Sequence, residues 1–483
     1  MKDGMQNMPL KRFTRDFRRG IGSAIIELKD NHKKSEYRAV VMRSCLKDLA
    51  YDTQVEGTKG YYLYTAIKTF DNYEGFLYRI AEKFSEKSYW RLSEQLYETL
   101  CCFSNDGHTL ADGAIEKKYL DLKRRLPLMR DYGHNNCERE QLEKLMIRKM
   151  DGGFEAFKQC VNDMGEMIIK RGNDDCLWYD WFLTSAEERF GKEIYVYIED
   201  SENEKVVTFN QSLRKSESDE GVGHNLKLMT ANDFAQSYRF KQSNIEEERV
   251  TIEQLINHAN KLAAADDPYP FRISSISRKF AKQANKEELK ALARRTLEES
   301  SAFIKTALLV AFSVIDFPLD IELLLPYMHS EDEWLRKAAA KALSRIKDER
   351  IRALVLQLFH DGKIENALTL LESNFTNEDE ALIRKYILCS RRVTYDMTTS
   401  ICNIYQKNNS NTCGDILLHF YKNVECTHCR SNMVKMMINN GVITKKILEE
   451  CQYDSYEATR ELAKKALGSA KGKGCKEPIC RKI

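Results

Sequence analysis

The apolar positions of this chain fall mainly at helical spacing. The clearest run is Tyr327 to Leu343, YMHSEDEWLRKAAAKAL. Leu335, Ala338, Ala339, Ala342, Leu343 and Ile346 step by three and four and make one apolar stripe. The alanines let a neighbouring helix approach closely. Ser330 is the expected N-cap, and Glu331, Asp332 and Glu333 behind it suit the positive end of the helix dipole. Lys337, Lys341 and Arg345 step by four along another face, which is expected to be solvated.

The same pattern returns in DSYEATRELAKKALG. There Asp454 and Ser455 supply the cap, and Arg460, Ala463, Ala466 and Leu467 repeat Arg336, Ala339, Ala342 and Leu343 at one offset of 124 residues. Weaker echoes occur in FIKTALLVAF, at Lys305, and in EALIRKYIL, at Arg384. From Asn285 onward, short amphipathic segments alternate with caps and turns: EELKALARRTLEES, AFIKTALLVAFSVI, LDIELLLPYM, ERIRALVLQLF, IENALTLLESNF and EDEALIRKYILC. One hairpin of this kind cannot bury its own faces, so neighbours must stack. The expected fold class is all-α, an α-solenoid of helical hairpins.

The cap, the Leu335–Arg336 pair and the spaced alanines resemble HEAT repeats over residues 270–470. A looser likeness, carried by FRRGIGSAII, CLKDLAYDTQVEGTKGYYLYTAIK and ECQYDSYEATRELA, is to uncharacterised HEAT-like proteins of Firmicutes-type bacteria. The resemblance implies an α-solenoid and a binding surface. It brings no activity with it.

The N-terminal half reads as helical too. A first helix is expected over 11–30, with Phe13, Phe17, Ile21, Ile25 and Leu28 on one side and Gly20 and Gly22 either weakening it or allowing close packing. A second is expected over Tyr37–Leu49. In YDTQVEGTKGYYLYTAIKTF, Tyr51, Asp52, Gln54 and Glu56 crowd before an aromatic helix. They are either a binding surface of carboxylates and tyrosines or, more commonly for short polar residues, a turn that caps the next helix. Asn105-Asp106-Gly107 marks a turn, beside which His108 reads as a surface residue without a partner. Trp178, Tyr179, Trp181 and Phe182 read as packing residues near Asp174, Asp175 and Asp180. Residues 193–210 fit a hairpin or a helix, with helix preferred. The expected organisation is a helical domain over 1–199, a polar linker over 200–250, a solenoid over 251–468 opened by a Thr251–Gln254 capping box, and a flexible basic tail over 469–483.

Composition narrows the function classes. The chain has 483 residues, and its 76 basic and 73 acidic residues leave a net charge of +3, so no global field favours nucleic acid. No apolar run approaches the roughly 20 residues that span a bilayer, and the basic start lacks a signal-peptide core. No membrane partner and a cytoplasmic location are expected, with the 14 cysteines mainly reduced.

The sharpest chemical motif is VECTHCRSNM. Cys426 and Cys429 have Cys-x-x-Cys spacing, with His428 between them and His419, Cys451, Cys475 and Cys480 elsewhere. Structural zinc needs four ligands, and a second standard pair is missing. A thioredoxin site needs a βαβ context, also missing. Two thiols packed at a helix start is the plainer reading. No glycine phosphate loop, Gly-x-Ser-x-Gly elbow or HExxH occurs, so no catalytic, cofactor or metal residue is assigned.

Two functions remain as expectations. One is a non-enzymatic scaffold holding a protein or peptide partner on a curved helical surface. The other is a nucleic-acid binder with Trp334, Lys337, Lys341 and Arg345 (and Lys465) at its surface. SEDEWLRKAA resembles a segment of the HEAT-like alkylpurine DNA glycosylases, but their aromatic-plus-aspartate motif has no match here.

Overall fold

A computed structural model describes residues 8–31, 34–86, 89–128, 136–172, 180–215, 249–388 and 393–472. Among them every regular element is a helix and there is no strand. The chain divides into two compact units. The described residues up to Lys215 make the first, except Arg19–Gly22 and Gln54–Glu56, which belong with the second; the described residues from Arg249 onward make the rest of the second.

In the first unit, the expected helix over 11–30 is two helices, Leu10–Arg18 and Gly22–Asp30. The break falls at Gly20, whose φ of +74° is open to glycine and strained for other residues. The expected helix over Tyr37–Leu49 shortens to Arg38–Cys45, preceded by a 3₁₀ turn. Phe13, Phe17, Tyr37 and Tyr62 stack in its core. The turn at Asn105–Gly107 forms after the helix Trp90–Asn105. His108 is not partnerless: its Nε2 lies 3.2 Å from the Tyr73 hydroxyl, and its ring meets Phe103 edge-on.

Residues 193–210 are two helices, Glu193–Asp200 and Glu204–Lys215. The second lies inside the expected linker, and it packs Val206 and Phe209 into the core beside Phe157 and Met164. It crosses the helix Phe154–Arg171 so closely that a Cβ on Gly165 would sit 1.8 Å from the Lys205 carbonyl oxygen. Phe182 is buried and stacks on Phe157, as a packing residue should, whereas Trp181 is 57% exposed. Trp178, Tyr179, Asp174 and Asp175 lie outside the described residues, as do 216–248 of the expected linker and 473–483 of the expected tail. The last helix, Glu457–Gly472, runs into the start of that tail.

The second unit opens with the expected Thr251–Gln254 capping box, and a second box, Asn285–Glu288, starts the helix Lys286–Glu298. LDIELLLPYM is not a helix but two short 3₁₀ turns, because Pro318 just before it and Pro326 within it remove amide donors. The central helix is Glu333–Leu343. Its cap is Asp332, which accepts from Leu335 N at 3.0 Å; Ser330, the expected cap, instead accepts from Asp332 N at 3.1 Å in the turn before. Leu335, Ala338, Ala339, Ala342 and Leu343 are buried as the stripe requires.

Five helices then begin at Glu333, Ile364, Tyr395, Thr427 and Glu457, each start following the last by 30 to 32 residues. Each packs on the next of the series. The sequence offset of 124 between Arg336 and Arg460 is therefore four such steps. The two arginines act alike. Arg336 donates to the Ser330 carbonyl, and Arg460 donates to the Asp454 carbonyl at 3.0 Å, each reaching back six residues to tie the turn before its helix.

Candidate binding cleft

Three helices of this series, starting at Glu333, Ile364 and Tyr395, and the 3₁₀ segment Pro270–Ile273 converge on a cleft of about 410 Å³. Its aromatic wall is Tyr269, Phe271, Trp334 and Tyr395. Trp334 stands in the first turn of the central helix, where its ring meets Tyr269 edge-on at 6.1 Å and Phe303 at 6.2 Å. These contacts hold the indole in place, yet it stays 37% exposed, and Tyr269 and Tyr395 are more open still. Tyr395 arrives from the start of the helix Tyr395–Lys407, capped by Thr394.

The polar wall centres on Lys337, one turn on from Trp334. Its ammonium lies 3.0 Å from Glu333, 3.3 Å from Asp396 and 3.8 Å from Glu365. Burial works against its charge, but the Glu333 hydrogen bond and the Asp396 and Glu365 charges outweigh it, so its pKa is raised. One cation thus serves three carboxylates beside the open rings. Lys341 lies 3.6 Å from Glu372, a buried carboxylate that also accepts from Ser400 Oγ at 3.0 Å and Asn403 Nδ2 at 2.9 Å. Arg278 is exposed at the opposite lining and has no carboxylate partner among the described residues.

Of the site residues read from sequence, Trp334, Lys337 and Lys341 line this cleft; Arg345 does not, and pairs with Asp316 at 3.1 Å. The face expected to be solvated is instead laced with carboxylates. Tyr269, Glu365, Tyr395 and Asp396 were missed. They come from separate segments; the 31-residue step linking Glu333, Ile364 and Tyr395 could have placed Glu365, Tyr395 and Asp396 together, and no such signal points to Tyr269.

The Tyr51–Glu56 group is not one surface. Tyr51 is exposed and Asp52 half-buried in the first unit, while the Gln54 backbone lies in the short helix Thr53–Glu56. Glu56 is buried, and its carboxylate accepts from Thr427 N at 2.6 Å. It caps a helix as expected for a turn acid, but one 371 residues away rather than the next in the chain. Around it, Arg19 donates to the carbonyls of Lys422 and Val424. Arg430 pairs with Asp454 at 2.8 Å and donates to the Arg19 carbonyl at 2.9 Å. Ser455 N donates to the Gly20 carbonyl at 2.9 Å. A Cβ on Gly22 would fall 1.9 Å from the Glu450 carbonyl oxygen, so the RGIGS glycines permit close packing.

No described helix is long and apolar enough to cross a membrane. No family model matches the chain, and no curated protein does. Among solved structures, it is similar to the crystal structure of an engineered protein, at 13% identity over 93% of this chain and 98% of that one, with a TM-score of 0.18. A likeness that slight carries no argument about fold or function.

Proposed function

We propose that the protein is a non-enzymatic interaction scaffold, a HEAT-like α-solenoid that seats a protein or peptide partner in the Trp334 cleft. The observation that carries this reading is the group of three partly exposed carboxylates around Lys337 beside three open aromatic rings. A segment bearing a lysine or arginine side chain gains charge pairing from Glu333, Glu365 and Asp396, and a cation–π contact from Trp334, worth roughly 0.5–2 kcal/mol. Exposed tryptophan and tyrosine in a concave site are also the side chains on which binding energy concentrates.

The regular 30 to 32 residue step supports stacked hairpins, although it is shorter than the roughly 40–47 residues usual in HEAT repeats. The nucleic-acid reading has weaker support. Lys337, Lys341 and Arg345 each face a carboxylate, so a phosphate would have to displace an existing pair.

The test is capture from nuclease-treated and untreated host lysate by the full chain and by its Trp334→Ala and Asp396→Lys variants. A discrete protein that survives nuclease, binds the parent chain and is lost from both variants is the expected result. Recovery dominated by nucleic acid, lost on nuclease treatment or steeply with salt, overturns the proposal.

A further inference from the structure

Cys426 is the N-cap of the helix Thr427–Asn439, and Cys429 lies one turn into it. Helical geometry puts Cα atoms three residues apart at about 5 Å, inside the roughly 4.4–6.8 Å range of disulfides. Both side chains pack into one small cluster with Val424, against Val393. The cap position is otherwise unused, since Cys426 makes no side-chain cap bond and Glu56 satisfies Thr427 N in its place.

The two thiols are not equivalent. The neighbouring Cys429 thiol, with the amides of Cys429 and His428, holds Cys426 below the ordinary thiol value against burial and the Glu56 charge. The Cys426 sulfur beside it and burial push Cys429 up. Cys413, buried elsewhere in the unit, and the half-buried Cys402 are pushed up to about 12, chiefly by desolvation. An attacking thiol near ambient pH with a second thiol within reach is the arrangement that disulfide exchange needs.

We propose that Cys426 and Cys429 form a thiol–disulfide exchange site whose co-reactant is a small-molecule disulfide, with Cys426 as nucleophile and Cys429 as resolving thiol. The Cys426 thiolate attacks one sulfur of the disulfide RS–SR. That S–S bond breaks, a Cys426–S–S–R bond forms, and RS⁻ leaves to take a proton from water. Cys429 gives its proton to water and attacks the Cys426 sulfur, expelling the second RS⁻. Two protein thiols are oxidised to one disulfide, and RS–SR is reduced to two RSH. The new bond closes over Thr427 and His428 and ends beside Arg430, so it bears directly on the Glu56 contact and adjoins the Asp454 one.

The test treats the full chain with oxidised glutathione, blocks remaining thiols with iodoacetamide and digests with trypsin. The peptide Asn423–Arg430 contains these two cysteines and no others. It is expected to lose the mass of two hydrogens and escape alkylation, while Cys402 and Cys413 stay alkylated. Cys429→Ser is expected to trap glutathione on Cys426, and Cys426→Ser to leave Cys429 free of glutathione. Full alkylation of the peptide after oxidation, trapping on Cys429 instead, or stoichiometric zinc in the purified protein overturns the proposal.

Discussion

Two acid–base arrangements in the second unit use the same chemistry in opposite surroundings. Arg430 and Asp454 are both 0% exposed, one cation to one carboxylate. Around Lys337 one cation meets three carboxylates, all at least 31% exposed. A buried charge must be matched, and Arg430 is matched and then spends further donors on the Arg19 and Gly20 carbonyls. At the water-washed site the three carboxylates cost little and remain available. The first arrangement fixes backbone segments together; the second can greet a ligand.

The largest expected effect breaks the buried pair. Asp454→Ala leaves a guanidinium uncompensated in the interior and should cost about 3–5 kcal/mol in urea unfolding. Arg430→Met combined with Asp454→Leu should recover most of that loss, because it removes both charges. A single-variant loss below about 1 kcal/mol would erase the distinction between the two sites.

Next comes the backbone contact beside that pair. Gly22→Ala forces a Cβ onto the Glu450 carbonyl and should destabilise by about 1–3 kcal/mol. Gly113→Ala is the control, since that helical glycine faces open space and should gain up to about 1 kcal/mol in the same unfolding measurement.

Lys337→Met should cost only about 0.5–1 kcal/mol, and less in high salt. Its pKa is raised, so its contribution is complete below the unfolded value of 10.5 and is lost as pH rises through the folded value. Unfolding free energy of the parent and variant should therefore differ by a constant amount through neutral pH and converge only in strong alkali. Trp334→Ala should change stability least, by about 0.5 kcal/mol, while abolishing partner capture.

The helices were legible because their apolar stripes and caps are local. Leu335 to Leu343 and the Thr251–Gln254 box show this. Errors arose where a local signal had two uses. Ser330 and Asp332 both suit a cap, and the residue whose φ/ψ lies just outside the helix takes the role. The aliphatics of LDIELLLPYM promised a helix that two prolines prevent. The sites were legible only in part. Trp334 and Lys337 sit on one recognisable helix, but Tyr269 and Asp396 reach the cleft from segments no short-range pattern connects. Glu56 and Thr427 meet across most of the chain, and nothing local distinguishes an acid that caps a distant helix from one that caps its neighbour.

The most direct measurement places a photo-crosslinking amino acid at Tyr395, in the cleft, and at Leu356, exposed on the helix Glu349–His360 outside it. The account predicts a discrete protein adduct from position 395 in nuclease-treated lysate, absent from position 356 and suppressed by Asp396→Lys. Equal adducts from both positions, or adducts of nucleic acid alone, would contradict it.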